Sequence, residues 1–159
     1  LNLFAYTGSF SVYAAMGGAK RVTTIDLSNT YIQWARRNFE INQLNPNLYE
    51  FIVMDVMEWL QASHKEKYDI IVCDPPTFSN SKKMDGVFDV QRDHVKMITQ
   101  CCSLLKEGGK LYFSTNFSKF KMRSEELLAY QIKDLTRATT PFDFEGKLDR
   151  KCYLIQNND

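Results

Sequence analysis

An acid, two prolines and an aromatic residue follow one another in the segment Asp74-Pro75-Pro76-Thr77-Phe78. Two successive prolines can neither continue a strand nor enter a helix interior, so they predict a rigid, extended segment. Such a segment would hold the carboxylate of Asp74 beside the ring of Phe78. A fixed carboxylate next to an aromatic ring suits a site that stacks a planar base and hydrogen-bonds its edge.

Three further positions could bind a small ligand. Gly8 lies in a tight turn of small and hydroxyl-bearing residues, where the missing side chain would let a ligand approach the backbone. Asp26 could accept hydrogen bonds from both ribose hydroxyls of a nucleoside, and Asp55 could accept one from an adenine amino group. Each position also has a plainer interpretation, because a glycine turn is often only a connection and either acid could cap a helix. The residues alone leave these alternatives open.

The elements that precede these residues make them more informative. Short apolar runs alternate with stretches of helical periodicity, which is typical of a parallel sheet with helices on its faces. The predicted strands cover residues 1–5, 21–26, 49–54, 68–73, 110–115 and 151–155, and the predicted helices cover 9–16, 30–42, 56–62, 87–105 and 124–136. Glycine pairs at 17–18 and 108–109 are expected to end the first and fourth helices. Because a doubly wound α/β sheet binds ligands beyond the carboxyl ends of its strands, functional residues are expected directly after each strand.

The composition fits one globular domain. The chain has 159 residues, of which 44% are apolar and 25% are charged, and its formal net charge is +1. This composition disfavours disorder and gives no overall attraction to nucleic acid, so an RNA partner must be argued from local clusters. No apolar run approaches the roughly 20 residues of a membrane span, and four scattered cysteines favour a reducing, cytoplasmic location. The chain opens at Leu1 within an apolar run, which leads us to expect a fragment of a longer protein.

The residues at the predicted strand ends resemble those of class I S-adenosylmethionine-dependent methyltransferases. In this resemblance the segment 3–10 corresponds to the methionine-binding turn, Asp26 to the ribose acid, Asp55 to the adenine contact and the segment 74–78 to the catalytic motif. More narrowly, four segments resemble the carboxyl-terminal half of the fused bacterial 23S rRNA guanine methyltransferase family, namely 2–15, 24–28, 74–84 and 88–94. Asn2 departs from the pattern, because many class I enzymes carry an acid at that position.

The resemblance implies a fold, a cofactor and a reaction. The implied fold is α/β, with a Rossmann-like, doubly wound, mostly parallel seven-stranded sheet in a single domain over residues 1–159. The implied cofactor is S-adenosylmethionine, which leaves as S-adenosylhomocysteine, and no metal is expected. The implied reaction methylates a guanine at ring nitrogen 7 in 23S rRNA, in a protein that contains further domains.

The same resemblance assigns roles to individual residues. The implied cofactor-binding residues are Phe4, Tyr6, Thr7, Gly8, Ser9, Asp26, Leu27, Asp55, Val56 and Asp74. The implied catalytic residues are Asp74, Pro75, Pro76 and Phe78. Candidates for contact with the substrate RNA are Lys82, Lys83, Arg92, Asn116 and Lys119. The positions of these candidates near predicted strand ends favour phosphate contacts, although charge runs are also common on solvated surfaces.

Other functions remain open from the sequence. Methylation at cytosine carbon 5 would need a cysteine nucleophile after a later strand, but residues 113–117 contain no thiol and Cys73 is expected in the core. Methylation of the exocyclic guanine amine is a further alternative, as is a non-catalytic RNA-binding module of the same fold. A nicotinamide-dependent oxidoreductase would need a three-glycine fingerprint, which the chain lacks.

Overall fold

The computed structural model describes residues 1–79, 87–144, 146–147 and 149–158. The chain divides into two compact units, residues 1–62 and residues 63–159. The elements of the first unit are β1 (Asn2–Leu3), α1 (Ser9–Met16), β2 (Thr23–Asp26), α2 (Asn29–Ile41), β3 (Glu50–Val53) and α3 (Val56–Gln61). Those of the second unit are β4 (Tyr68–Cys73), β5 (Phe78–Ser79), β6 (Phe88–Asp89), α4 (Val90–Ser103), β7 (Leu105–Thr115), β8 (Tyr130–Asp134) and β9 (Lys151–Asn157). Short 3-10 helices cover Pro46–Leu48, Ser124–Glu126 and Phe142–Phe144.

The first unit holds three parallel strands in the order β3-β2-β1. Asn2 pairs with Thr24, and Asp26 at the end of β2 pairs with Val53 at the end of β3. Because the strands are parallel and in this register, the residues that follow them lie along one edge of the sheet. The predicted convergence of the Gly8 turn, Asp26 and Asp55 at strand ends is therefore confirmed within this unit.

The second unit combines parallel and antiparallel strands. β4 and β7 are parallel, with Cys73 opposite Phe113. β9 runs antiparallel to β7, with Thr115 opposite Lys151, and β8 runs antiparallel to β9. β5 and β6 form a separate antiparallel pair directly before α4. Asp89 caps α4, since its Oδ1 accepts a hydrogen bond from the Arg92 amide nitrogen at 2.9 Å.

The predicted helix over 124–136 is wrong. One turn of 3-10 helix covers Ser124–Glu126, and Tyr130–Asp134 then forms β8. The β8 sequence alternates Tyr and Ile with polar residues, and it gains a full ladder of backbone hydrogen bonds to β9. This pairing outweighs the weak helical periodicity of the segment.

The glycine pair at 108–109 does not end a helix. α4 already ends at Ser103, and both glycines lie inside β7, where the pairing with β4 shifts register between Tyr68 and Ile70. Gly108 has φ +67, and a Cβ built on Gly109 would lie 2.9 Å from the Lys106 carbonyl oxygen. The pair therefore permits a strand irregularity of the kind that glycine often marks.

Every helix that the structure describes falls short of the length and apolar character that spanning a membrane requires.

Candidate functional site

The turn after β1 has an unusual backbone. Phe4, Tyr6 and Gly8 all have positive φ angles, of 53, 50 and 73 degrees. For residues other than glycine such a conformation costs about 1–3 kcal/mol, and it persists only where the surrounding structure imposes it. Hydrogen bonds from the Ala5 amide nitrogen to the Ile25 carbonyl oxygen (3.0 Å) and from the Gly8 amide nitrogen to the Ala5 carbonyl oxygen (2.8 Å) hold the turn. Strain of this kind clusters at ligand-binding loops.

Gly8 is required by packing against α2. A Cβ at this position would lie 2.6 Å from the Cβ of Ala35, a distance that real side chains do not tolerate. The Asn38 amide also donates to the Thr7 carbonyl oxygen at 2.8 Å, which ties the same turn to α2. The absence of a side chain at Gly8 thus serves first to bring the turn onto the helix.

Asp26 links the turn to the end of β2. Its Oδ2 accepts a hydrogen bond from the Tyr6 amide nitrogen at 2.9 Å, and its Oδ1 accepts one from the Ser28 amide nitrogen at 2.8 Å. The helix cap itself is Ser28, whose hydroxyl accepts from the Tyr31 amide nitrogen, so simple capping by Asp26 is excluded. Each carboxylate oxygen carries a second lone pair, which leaves Asp26 able to accept from ligand hydroxyls as well.

Asp55 does cap a helix. Its Oδ1 accepts a hydrogen bond from the Glu58 amide nitrogen at 2.8 Å at the start of α3. The plainer interpretation of this acid is therefore correct, although capping uses only one of its two oxygens. Among the other predicted cofactor residues of this unit, Gly8 and Val56 are buried, Phe4, Thr7 and Leu27 are partly buried, and Tyr6 and Ser9 are exposed.

Asp74 follows β4 directly and is held by a residue that the sequence analysis missed. The Ser114 hydroxyl donates to Asp74 Oδ1 at 2.6 Å, a short hydrogen bond of the type that charged acceptors form. Ser114 is only 7% exposed, whereas Asp74 is partly buried. Of the two prolines that follow, Pro75 is buried and Pro76 is exposed. The backbone of Asp74 is thus restricted by the proline that follows it, and its side chain is held by the buried hydroxyl of Ser114.

Two aromatic rings lie beyond the ends of β4 and β7. The centroids of Phe78 and Phe117 are 6.3 Å apart with an interplanar angle of 60 degrees, and Phe78 is 59% exposed. The Phe117 amide nitrogen donates to the Thr115 hydroxyl at 3.2 Å, which fixes the turn after β7. Asn116, which lies between Thr115 and Phe117 in the sequence, is exposed. Phe117 is a second ring that the sequence analysis did not single out.

The segment 117–123 is bound to α4 by three side chains. The Gln91 amide pairs with the Lys121 backbone, donating to the carbonyl oxygen at 2.9 Å and accepting from the amide nitrogen at 2.8 Å. His94 Nε2 accepts from the Arg123 amide nitrogen at 3.2 Å, and the Arg123 guanidinium donates to the Arg92 carbonyl oxygen at 2.8 Å. Lys119 and Lys121 consequently extend from an anchored backbone, and both are exposed.

His94 has a structural role in this attachment. Its ring is fully buried, and its Nδ1 lies 3.0 Å from the Gln91 carbonyl oxygen, to which only a protonated nitrogen can donate. With Nδ1 as the donor and Nε2 as the acceptor, the ring is neutral. Burial, together with the nearby Arg123 charge, lowers the pKa of His94.

The predicted RNA-contacting residues differ in their surroundings. The Arg92 guanidinium forms an ion pair with Asp93 at 2.7 Å and also donates to the Val87 carbonyl oxygen, and this pair lowers the pKa of Asp93. Lys82 and Lys83 lie outside the described residues. Arg92, Asn116 and Lys119 are all exposed.

The four cysteines are buried. The Cys73 thiol lies 3.7 Å from the Met97 sulfur, and burial raises its pKa well above the ordinary value. Burial also raises the pKa of Cys102 to about 12. Since the thiolate is the reactive form, these two thiols are inert. In the part of the chain that the structure describes, no group of three or more His, Cys, Asp or Glu residues could hold a metal ion.

The arrangement in the first unit, with a strained glycine turn and an acid at the next strand end, is that of α/β proteins that bind a nucleoside-containing cofactor. A family model described as S-adenosylmethionine-dependent methyltransferase matches residues 1–134. The chain therefore belongs to the S-adenosylmethionine-dependent methyltransferase family, and S-adenosylmethionine is its cofactor.

Solved structures support the fold. A structure described as a methyltransferase complexed with S-adenosylhomocysteine aligns with a TM-score of 0.77 and 31% identity, over 97% of this chain and 43% of that chain. A S-adenosylmethionine-dependent methyltransferase from Agrobacterium tumefaciens aligns with a TM-score of 0.75 and 26% identity, over 99% of this chain and 55% of that chain. The predicted fold class, a Rossmann-like, mostly parallel seven-stranded sheet with helices, is confirmed.

Curated relatives are longer than this chain. Ribosomal RNA large subunit methyltransferase K/L from Shewanella loihica is 54% identical over 160 residues, which are 99% of this chain and 22% of that protein. Ribosomal RNA large subunit methyltransferase K from Neisseria meningitidis serogroup B is 46% identical over 159 residues, which are 99% of this chain and 45% of that protein. The chain thus spans about a fifth of the first relative and less than half of the second. The predicted resemblance to this group is confirmed.

The residues of the first unit fit an adenosine-bearing cofactor. Asp26 keeps a lone pair on each oxygen, and Asp55 Oδ2 accepts no hydrogen bond from any described residue. Neither carboxylate forms an ion pair within the described ranges, so both remain available to hydroxyl and amino donors. The positions of these acids were predictable because each lies at or just after the end of an apolar run that predicts a strand. Ser114 and Phe117 could not be predicted, because their positions beside Asp74 and Phe78 depend on the pairing of β7 with β4.

Proposed function

We propose that this chain is the methyl-transferring part of a 23S rRNA methyltransferase and that it methylates a guanine at ring nitrogen 7. The observation that carries the proposal is the fixed carboxylate of Asp74, a hydrogen-bond acceptor directly after β4. There the Asp74 carboxylate is held 2.6 Å from the Ser114 hydroxyl, and the exposed Phe78 ring follows it. Family membership and the names of the relatives support the reaction class and the RNA substrate.

The residues have a positioning task in this reaction. Bound S-adenosylmethionine supplies a methyl group on a positively charged sulfur, which is open to attack by a nucleophilic atom. Asp26 and Asp55 would hold the ribose and adenine, since their carboxylates lie at the carboxyl ends of β2 and β3. Phe78 would stack on the acceptor base, while Asp74 hydrogen-bonds the edge of that base. Holding the acceptor atom in a near-attack orientation is the main contribution that a protein makes to such a displacement.

Guanine nitrogen 7 suits these residues. It has an in-plane lone pair and carries no proton, so no general base must act before attack. Asp74 can then remain an acceptor throughout, and its negative charge favours the positive charge that develops on the base. Transfer to the exocyclic amine would also require removal of a proton, a step for which Asp74 would have to act as a base.

Methylation at cytosine carbon 5 is less compatible with this chain. That reaction needs a thiolate that adds to the pyrimidine ring. All four cysteines are buried, and the pKa of Cys73 and that of Cys102 are both raised. Residues 113–117, which span the end of β7 and the turn after it, contain no thiol.

The remaining parts of the proposal concern the RNA and the cell. Arg92, Asn116 and Lys119 would contact the RNA, the two cations through its phosphates. The longer relatives support a full-length protein whose further domains add RNA contacts. A cytoplasmic location follows from a ribosomal RNA substrate in bacteria.

The decisive experiment replaces Asp74 in the full-length protein. We expect D74A to abolish 7-methylguanine at the target position of 23S rRNA, measured by mass spectrometry of rRNA nucleosides from a complemented deletion strain. D74N should retain a small fraction of the activity, because an amide oxygen still accepts a hydrogen bond but carries no charge. The matched control is D69N, which removes an exposed acid from the opposite end of the same strand and breaks only the surface ion pair with Lys106.

Each outcome is informative. Normal 7-methylguanine in the D74A strain would refute the assignment of Asp74, whereas loss of a different methylated nucleoside would correct the acceptor. A non-catalytic RNA-binding module would leave 7-methylguanine at its normal level when the gene is deleted. The D69N strain is expected to match the wild type.

A further inference from the structure

We propose that Ser114 is a positioning residue that orients the carboxylate of Asp74 for the methyl acceptor. The inference rests on the proposed function, since it concerns the carboxylate that is proposed to hold the methyl-accepting base. Ser114 does not touch the substrate in this proposal. It acts only through the hydrogen bond of 2.6 Å that its hydroxyl donates to Asp74 Oδ1.

Strand pairing brings the two residues together. Cys73 at the end of β4 lies opposite Phe113 of β7 in the parallel ladder. The residues that come next are Asp74, directly after β4, and Ser114, within β7. Ser114 is also opposite Cys152 in the antiparallel ladder with β9, so its backbone is held within the sheet. The hydroxyl therefore has a position fixed by the sheet rather than by a loop.

The hydrogen bond leaves one oxygen of the acid for the acceptor. Ser114 occupies Oδ1, while Oδ2 of Asp74 receives no hydrogen bond from any residue that the structure describes. The backbone of Asp74 is restricted as well, because a residue before proline is confined to extended conformations. The backbone and the side chain of Asp74 are then both fixed. Its Oδ2 therefore has a defined direction in which it can accept a hydrogen bond from an N–H group of the base.

The Ser114 hydroxyl also restricts the rotation of the Asp74 carboxylate. Without that donor the carboxylate can rotate about its side-chain bonds and samples orientations that do not face the base. Such a loss reduces the rate of the chemical step, whereas the cofactor-binding residues of the first unit are unaffected.

The test compares S114T with S114V in the full-length protein. Threonine and valine have nearly the same shape and both suit a strand, but only threonine retains the donor. We expect S114V to lower kcat about 10- to 100-fold, the range for losing a hydrogen bond to a charged group, and S114T to keep most of the rate. The affinity for S-adenosylhomocysteine, measured by calorimetry, should stay unchanged in both variants.

A control reports on the general effect of removing a buried hydroxyl. The Thr23 hydroxyl of β2 donates to the Glu50 carboxylate at 2.7 Å and is as well buried as Ser114, yet it has no part in the proposed site. T23V should reduce the thermal unfolding midpoint by a similar amount to S114V while leaving kcat near the wild-type value. Equal loss of kcat in T23V and S114V would mean that Ser114 acts through stability and would overturn the inference.

A double variant separates this inference from the proposed function. If Ser114 acts through Asp74, S114V lowers kcat in the wild-type background but has little further effect in the D74N background. Equal effects in both backgrounds, or no effect in either, would refute the positioning role while the assignment of Asp74 stands. Full activity of D74N and D74A would instead refute the proposed function itself.

Discussion

Asp26 uses both carboxylate oxygens to hold backbone groups, which makes its charge and its symmetry important. An asparagine at this position has only one acceptor atom and would turn its NH2 group toward either the Tyr6 or the Ser28 amide nitrogen. We therefore expect D26N to weaken S-adenosylhomocysteine binding about 10- to 100-fold in calorimetry, because it disturbs both the turn and the proposed ribose contact.

The control for this variant is D134N. Asp134 also ends a strand, and its Oδ1 accepts from the amide nitrogen two residues later, Thr136, at 2.7 Å. D134N removes the charge of a comparable acid at a strand end, while its amide oxygen can still accept this single hydrogen bond. It should leave the affinity for S-adenosylhomocysteine as it was. If D26N also bound the ligand normally, Asp26 would have no role in the cofactor site.

Individual residues were predictable to different degrees. Asp26, Asp55 and Asp74 could be located because each comes directly after an apolar run that predicts a strand. Their hydrogen-bond partners could not be located, because Tyr6 and Ser114 are distant in sequence and meet the acids only in the folded chain. Such partners depend on turn conformation and strand pairing, neither of which leaves a local pattern.

The packing of the β1–α1 turn onto α2 gives a prediction about two elements. G8A places a side chain in a left-handed conformation, at a cost of about 1–2 kcal/mol, and also forces a contact with Ala35 that costs about 1–3 kcal/mol more. G18A is the matched control, since Gly18 has φ +85 but nothing lies within 4 Å of its added Cβ.

Denaturant unfolding measures both variants. We expect the free energy of unfolding to fall for each, with G8A falling further than G18A by the cost of the Ala35 contact. Similar values for the two variants would show that the turn can move away from α2 and that the glycine is needed only for its backbone angle.

The elements themselves divide into two groups. α1 and β4 have the bounds that the sequence predicted, because an apolar run ends at clear turn residues in each case. β8 and the first part of β7 were missed, since their stability comes from pairing with distant strands. Tyr130–Asp134 illustrates this point, because the same residues fit a helix when only their immediate neighbours are considered.

The stability of the whole chain should depend on pH through His94. In the unfolded chain this histidine titrates near 6.5, whereas burial lowers its pKa in the folded state. At a pH between the folded-state and the unfolded-state pKa of His94, the unfolded chain binds more protons than the folded chain. Lowering the pH through this range therefore stabilises the unfolded chain relative to the folded one, and the free energy of unfolding falls. The stabilisation is therefore complete above 6.5 and is lost progressively at lower pH, when a proton on Nε2 would face the Arg123 amide nitrogen.

H94Q tests this dependence. Glutamine can donate and accept hydrogen bonds but does not titrate, so the variant should lose part of the fall in unfolding free energy between about pH 7 and pH 5. Denaturant titrations at several pH values give the slope for both proteins. An H94Q slope identical to that of the wild type would show that other groups cause the acid sensitivity.

The reversal of β9 relative to β7 has a consequence for how enzymes of this type can diversify. Because Thr115 lies opposite Lys151, the chain between β8 and β9 returns to the margin of the second unit from which Asp74 also emerges. Insertions or deletions in that connection would change the surroundings of Asp74 while leaving the pairing of β4, β7 and β9 intact. The same β-sheet can in this way present Asp74 to different substrates when a single peripheral connection changes.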